Sequence, residues 1–235
     1  MKLAIMQPYF FPYIGYFQLM QAVDKFVIYD NIEFTKKGWI NRNKLVFNGQ
    51  VDYFTINIKK DSDYLNVNER VISNVYFDKE IPKILNKIKQ TYSKAPYFQF
   101  IFEELLKPVF TFNEKNLFNY LYNSLEKIMF YLEIETELII SSKIEIDHDL
   151  KNKFRVFEIC HALDADIYLN PPGGKELYSK DEFQNQGVKL EFLNPVIEKY
   201  DRKHANFHPY LSIIDVMMFN SPKKIRKMLE NYELE

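Results

Sequence analysis

The chain has 235 residues, enough for one large domain or for a domain with an appended lobe. Its net charge of -1, with 27% charged and 47% hydrophobic residues, describes a soluble globular protein with ample core and no general attraction to nucleic acid or anionic membrane. A single cysteine, Cys160, excludes an internal disulfide and gives no sign of a cysteine-built metal site.

The chain opens with a short apolar strand, Leu3 to Met6, which runs into Gln7-Pro8, with a second proline at Pro12. Tyr13-Ile14-Gly15-Tyr16 then starts an apolar helix, and a second strand, Lys25 to Tyr29, ends on Asp30. This is a βαβ unit whose polar and aromatic residues follow the carboxyl ends of the strands, where open α/β sheets bind ligands. Two β-rich runs flank Asn48-Gly49, the strongest short-range signal for a hairpin. From Asp78 to Leu132 glycine disappears, and Phe, Leu, Ile and Tyr recur at helical spacing, which predicts an inserted helical layer or lobe.

Sheet signals return at Glu137 and are followed by a predicted helix over 150–163, with Asp149 as its N-cap. A strand from Asp166 to Asn170 leads into Pro171-Pro172-Gly173-Gly174-Lys175, and another runs from Lys189 to Leu193. The tail reads as helical over 211–219 and again over 221–232, with Ser221 as N-cap and Pro222 at the first helical position. The expected fold is α/β, with a mainly parallel, Rossmann-like sheet, an inserted helical layer and a small β-hairpin. Residues 1–60 and 135–235 form its two α/β parts, 78–132 the helical block, and 1–235 a single domain. Segments 1–60 and 135–195 are expected to share one sheet. With 21 Phe and 17 Tyr, most rings should fill core. Cys160 and His161 lie in an apolar helix and read as structural. No basic region followed by a long apolar run opens the chain, so a cytoplasmic protein is expected.

Two stretches can carry chemistry. Gly173-Gly174 are two of only six glycines, and after a strand they permit positive φ and close approach of a ligand. Lys175 would add a positive charge for a phosphate or carboxylate; the alternative is a plain surface turn. Neither a Walker loop nor GxGxxG is present. The second stretch gathers Asp30, Glu33, Lys36, Lys37, Trp39, Arg42 and Asn43 around Gly38. Arg42 suits bidentate binding of a diphosphate or carboxylate, and Trp39, the only tryptophan, suits stacking on a base or sugar. An ordinary solvated loop is the alternative. His204 and His208 have a zinc-compatible spacing, but Pro209 disfavours a helix there and no metal site is expected. Asp215, within an apolar run, is either at a solvent edge or a buried, hydrogen-bonded carboxylate facing a site.

The stretch from Ile5 to Lys44, including QPYFFPYIGY and DNIEFTKKGWINRNK, closely resembles the opening of the WbqC-like protein family. YLNPPGGKELY and FHPYLSIIDVMMFN resemble that family's later signatures in the same order. The resemblance covers nearly the whole chain. It implies a place in O-antigen or other surface-polysaccharide biosynthesis and, as proposed for some members, a glycyl or amino-acyl transferase. The expected Ser-Gly start of the third-quarter loop is Asn170-Pro171 here, so a serine hydroxyl is not carried over. Tyr13-Ile14-Gly15-Tyr16 also looks like the His-x-Gly-His signature of nucleotidylyltransferases, with tyrosines for both histidines. Tyrosine hydroxyls can donate to phosphate but carry no charge at neutral pH.

The candidate catalytic residues are Asp30, Arg42, Lys175 and Asp215, with either aspartate as base. The candidate substrate-binding set is Gln7, Pro8, Tyr13, Gly15, Tyr16, Lys36, Trp39, Asn43, Asn170, Gly173, Gly174, Tyr178 and His208. The loops after Met6, Tyr29 and Leu169 are expected to converge on one pocket, with Arg42 and Lys175 on a common anion. The leading reading is a transferase moving an amino-acyl or acyl group onto a sugar precursor, with a nucleotide sugar or activated acyl donor as small-molecule partner. The alternatives are a ligase or nucleotidylyltransferase using ATP with Mg, and a non-catalytic binding factor; a homodimer stays open.

Overall fold

The computed structural model describes residues 1–202 and 206–235. Its main sheet has six strands in the order β5-β2-β1-β6-β7-β8, formed by β1 (Lys2–Met6), β2 (Lys25–Ile28), β5 (Glu137–Ile140), β6 (Ile167–Asn170), β7 (Lys189–Pro195) and β8 (Tyr232–Leu234). The first five pair in parallel, with Ala4 opposite Phe26 on one side and Leu169 on the other. Only β8 runs antiparallel, with Leu234 opposite Leu193. A second, two-stranded sheet is the hairpin of β3 (Arg42–Phe47) and β4 (Gln50–Thr55). Asn48 and Gly49 both take positive φ, 52° and 77°, as a tight hairpin turn with the right twist requires.

Strand alternation divides the sheet into two faces. Leu3, Ile5, Val27, Tyr168 and Leu190 point to a core closed by α6 (Asn152–Ala162) and α7 (Lys180–Asn185). Ala4, Phe26, Ile28, Leu169 and Leu193 point to a larger core on the other side. There they meet α1 (Ile14–Gln21), α2 (Ile81–Tyr92), α5 (Leu117–Leu132), α8 (Ile213–Phe219) and α9 (Pro222–Leu229). Between α2 and α5, α3 (Phe98–Phe100) widens through a π-turn (Ile101–Leu106) into α4 (Lys107–Phe110). The helical block thus shares one continuous core with a sheet face. A sheet covered on both faces explains why its strands read as unbroken apolar runs.

Three expectations need correction. The hairpin does not join the main sheet, because its Asn-Gly turn pairs β3 with β4 locally. Helix α6 starts at Asn152, with Lys151 at the N-cap and no side-chain cap, so Asp149 does not cap it. Helix α9 ends at Leu229, so 230–232 do not continue it, and Tyr232 instead begins β8, whose partners on β7 lie far away in sequence. Ser221 does cap α9, its hydroxyl accepting from the Lys224 amide. Among the described residues no helix is long and apolar enough to cross a membrane.

Cys160 is fully buried in the α6 face of the core, and burial pushes its thiol up to about 12. The thiolate is the reactive form, so Cys160 should resist Ellman's reagent at pH 8 in the folded protein and react fully in denaturant. The proton kept in the fold also makes stability fall as pH rises above the unfolded thiol value of about 8.5. Rapid native labelling would show that the helix opens.

Candidate functional site

The order of the strands decides where a ligand can enter. The connections that follow the neighbouring strands β1 and β6 diverge: α1 carries β1 to β2 over one face, while α7 carries β6 to β7 over the other. Loops diverging in this way leave a crevice at the carboxyl ends of the parallel strands. A cavity of about 570 Å³ lies there. The exit of β1 contributes Gln7, the exit of β2 contributes Tyr29, Asn31 and Glu33, and the chain after β6 contributes Tyr178. The segment from His148 to Val156 brings in the start of α6.

The polar groups of this cavity form a network around Arg155. Its Nη1 donates to the Asn31 carbonyl at 3.1 Å, its Nη2 lies 3.2 Å from His148 Nδ1, and its guanidinium carbon sits 5.3 Å from the centre of the Tyr29 ring. Asn31 Nδ2 is also 3.1 Å from His148 Nδ1, and His148 Nε2 is 3.0 Å from the Ile144 carbonyl. That pattern assigns the proton to Nε2 and makes Nδ1 the acceptor, a neutral imidazole. Burial raises the Tyr29 hydroxyl well above its usual range, opposed by the Arg155 charge, so it remains a donor at neutral pH.

A second cavity, about 360 Å³ and more apolar, lies between the β1–α1 connection and the hairpin. Tyr9, Tyr13, Trp39 and Tyr210 supply its aromatic walls, with Asn43, Lys44 and His208 as polar groups. Trp39 is 40% exposed and stacks on Tyr53, while the Lys44 ammonium stands 5.1 Å from the Trp39 ring centre. Burial, with Tyr210 and Tyr9 nearby, pushes the Tyr13 hydroxyl up to about 12.

The expected site residues are therefore distributed between two cavities. Tyr13, Trp39, Asn43 and His208 meet in the aromatic one; Gln7 and Tyr178 border the polar one. His204 lies outside the described residues. Pro8 is buried, and so is Tyr16, whose hydroxyl donates to the Gln7 carbonyl at 2.9 Å. Tyr16 packs on Phe17 and Phe26 rather than walling a ligand, and the likeness to His-x-Gly-His does not extend to a nucleotide contact at this position. A Cβ on Gly15 would lie 2.3 Å from the Tyr13 ring, so the space its missing side chain leaves is filled by the protein itself. Gly174 likewise makes room for Asn170, whose Nδ2 donates to the Tyr168 hydroxyl at 2.6 Å. Neither Gly173 nor Gly174 has positive φ, and Gly173 faces open space.

The four candidate catalytic residues do not converge. Arg42 Nε donates to the Gly38 carbonyl at 2.9 Å, its Nη2 donates to that of Lys37, and its guanidinium lies over Tyr53. Lys175 pairs with Glu235 over the Phe192 ring, and Lys36 pairs with Asp63. Among the described residues Arg42 and Lys175 share no partner. Asp30 is buried, accepting from Asn68 Nδ2 at 2.9 Å and from the Ser142 amide and hydroxyl at 2.9 and 2.6 Å. Asp215 is wholly buried. It accepts from Tyr200 at 2.6 Å and from Tyr92 and Arg202 at 2.7 Å each. Its solvent-edge alternative is removed. Arg155 and His148, which organise the polar cavity, were missed. The available signal was an arginine inside the apolar run Phe154-Arg155-Val156-Phe157.

A family model described as the WbqC-like protein family matches residues 7–227. The chain belongs to that family. The match takes in the segments that line both cavities. This WbqC-like chain is also similar to a protein of Mycobacterium tuberculosis (strain ATCC 25618 / H37Rv), the uncharacterized protein Rv1507c. The two are 27% identical over 222 residues, which is 93% of each chain. No solved structure matches it.

The Asp215 network yields a stability prediction. Asp215→Ala would leave Arg202 charged and unpaired inside the fold, a loss of about 3–5 kcal/mol in denaturant unfolding. Replacing both charges, as in Asp215→Leu with Arg202→Met, should recover part of it, the Tyr92 and Tyr200 hydroxyls still lacking their acceptor. A double variant no better than the single one would show that the charge pair is not the source of the loss.

Proposed function

We propose that this protein is a transferase of surface-polysaccharide (O-antigen) biosynthesis that moves an amino-acyl, notably glycyl, or acyl group onto a sugar precursor. The observation that carries this reading is the polar cavity at the carboxyl ends of the strands, where the connections after β1 and β6 diverge, in a chain of the WbqC-like family. The activated donor occupies that cavity. The aromatic cavity, joined to it in sequence through residues 7–13, takes a sugar ring against Trp39 and Tyr13. Rings of this kind offer broad apolar contact, and Lys44 and His208 offer polar contact to hydroxyl groups.

In the transfer, an amine or hydroxyl of the acceptor loses its proton, attacks the acyl carbonyl and expels the donor's leaving group. Glu33 is an exposed carboxylate on the polar cavity wall with no ion-pair partner among the described residues, and it takes the role of base. Asp30, bonded to Asn68 and Ser142, holds the frame at the exit of β2 beside it.

Four measurements test the reading. Incubation with acyl or amino-acyl donors and nucleotide sugars, followed by mass spectrometry, should show the acceptor gaining the mass of one acyl group. Glu33→Gln should slow this by about 10²- to 10⁴-fold, the usual contribution of a general base. Because Trp39 is the only tryptophan, its emission reports on the aromatic cavity, and sugar acceptors should change it saturably. Magnesium-dependent ATP consumption without transfer would replace this reading with the ligase. A host polysaccharide that keeps every substituent after loss of the gene would end the pathway assignment.

A further inference from the structure

Arg155 is 8% exposed, borders the polar cavity and has no carboxylate bonded to it among the described residues. Its described partners are a backbone carbonyl, an imidazole and a phenol ring, all neutral, and its Nε has no partner. Arg202, also buried, is answered by Asp215. A guanidinium held out of water without a counter-charge is costly, and the cost is recovered where a ligand brings the negative charge.

The second observation is independent. Helix α6 begins at this cavity, has no side chain capping its first turn and no acidic residue in it. The first-turn N–H groups of a helix have no partner within it, and the helix dipole adds partial positive charge at the same end. Lys151 stands at the N-cap, exposed, with its ammonium free of any ion pair among the described residues. Glu33 and Asp149 also border the cavity, but both are exposed and neither bonds Arg155.

We propose that Arg155 and the first turn of α6 form the seat of a phosphate-class anion, a phosphate monoester or diphosphate carried by the substrate. Converging N–H groups and a guanidinium with unspent donors match several oxygens of one tetrahedral group better than the two of a carboxylate. A cavity of about 570 Å³ has room for a diphosphate with the ring it carries. The proposal deepens the transferase reading and rests on that reading's placement of the donor in this cavity. It moves the anion from Arg42 and Lys175, which are engaged elsewhere, to a residue of the cavity itself.

The test is calorimetric titration of inorganic pyrophosphate at low salt, with glucose as the uncharged control. Wild type should bind pyrophosphate and not glucose. Arg155→Gln should weaken binding by about 10- to 150-fold, the usual loss for a charge-assisted hydrogen bond. Lys151→Glu, at an exposed position, should weaken it by about 5-fold while leaving the thermal midpoint unchanged. If Arg155→Gln does not fold, the exposed variant decides. Absence of pyrophosphate binding to wild type, or undiminished binding by Lys151→Glu and by any folded Arg155→Gln, would overturn the proposal. Pyrophosphate binding that depends on both residues, without acyl transfer, would leave the anion seat standing and remove the transferase. Transfer from a phosphate-bearing donor at wild-type rate in both variants would do the reverse.

Discussion

The segment that leaves β1, residues 7–13, is largely buried without belonging to a helix or strand, and the hairpin and α8 are placed to satisfy it. A buried peptide group left unpaired costs about as much as a lost hydrogen bond, so each must find a partner. The Phe10 amide donates to Ile40, the Phe10 and Phe11 carbonyls accept from Asn43 Nδ2, and the Phe11 carbonyl also accepts from the Ser212 hydroxyl. The Pro12 carbonyl takes the Ile213 amide. One loop is thereby tied to the hairpin and to the start of α8. Phe11 accepts a positive φ of 45° to make this path. Phe10 and Phe11, both fully buried, then pack on Phe54 of the hairpin and Phe110 of the helical block. The same segment borders one cavity at Gln7 and the other from Tyr9 to Tyr13, so the constraint that holds the parts together also sets the distance between the two candidate binding places.

Much of this was legible because it is encoded locally. The strand, proline turn and helix at the amino terminus, the Asn-Gly hairpin and the Ser-Pro start of α9 all depend on residues within a few positions of one another. Strand β8 was not legible, since only its antiparallel pairing with Leu193 to Pro195 makes Tyr232 to Leu234 a strand. Helix α7 is six residues with a single buried side chain, Phe183, too short for a period to show.

The candidate site was legible only in part, for a physical reason. Charged loop residues drew attention as ligands for an anion, yet long cationic side chains on a nearly neutral surface find acids or carbonyls of their own. Lys36 finds Asp63, Lys175 finds Glu235, and Arg42 closes on Lys37 and Gly38. Glycines that looked like openings for a ligand were openings for Tyr13 and Asn170. Sequence spacing cannot separate these cases, because both require a small residue at a turn. What separates them is whether the nearest group comes from the chain or is missing.

By that criterion Arg155 differs from Arg42 and Lys175. All three are cations near strand ends, but only Arg155 combines burial, a place on a cavity wall and neutral partners. Its position is also the more rigid one, being on a regular helix packed through Val156, Phe157 and Cys160 onto the sheet, whereas Arg42 begins a hairpin edge and Lys175 stands in a surface turn. A site built on a packed element keeps its geometry without a ligand, which lowers the ordering cost when one binds. Family membership does not name the reaction, since function resides in the site and not in the fold. For this chain the chemistry therefore has to be sought where β1 and β6 diverge, around a positive charge that the protein itself leaves unanswered.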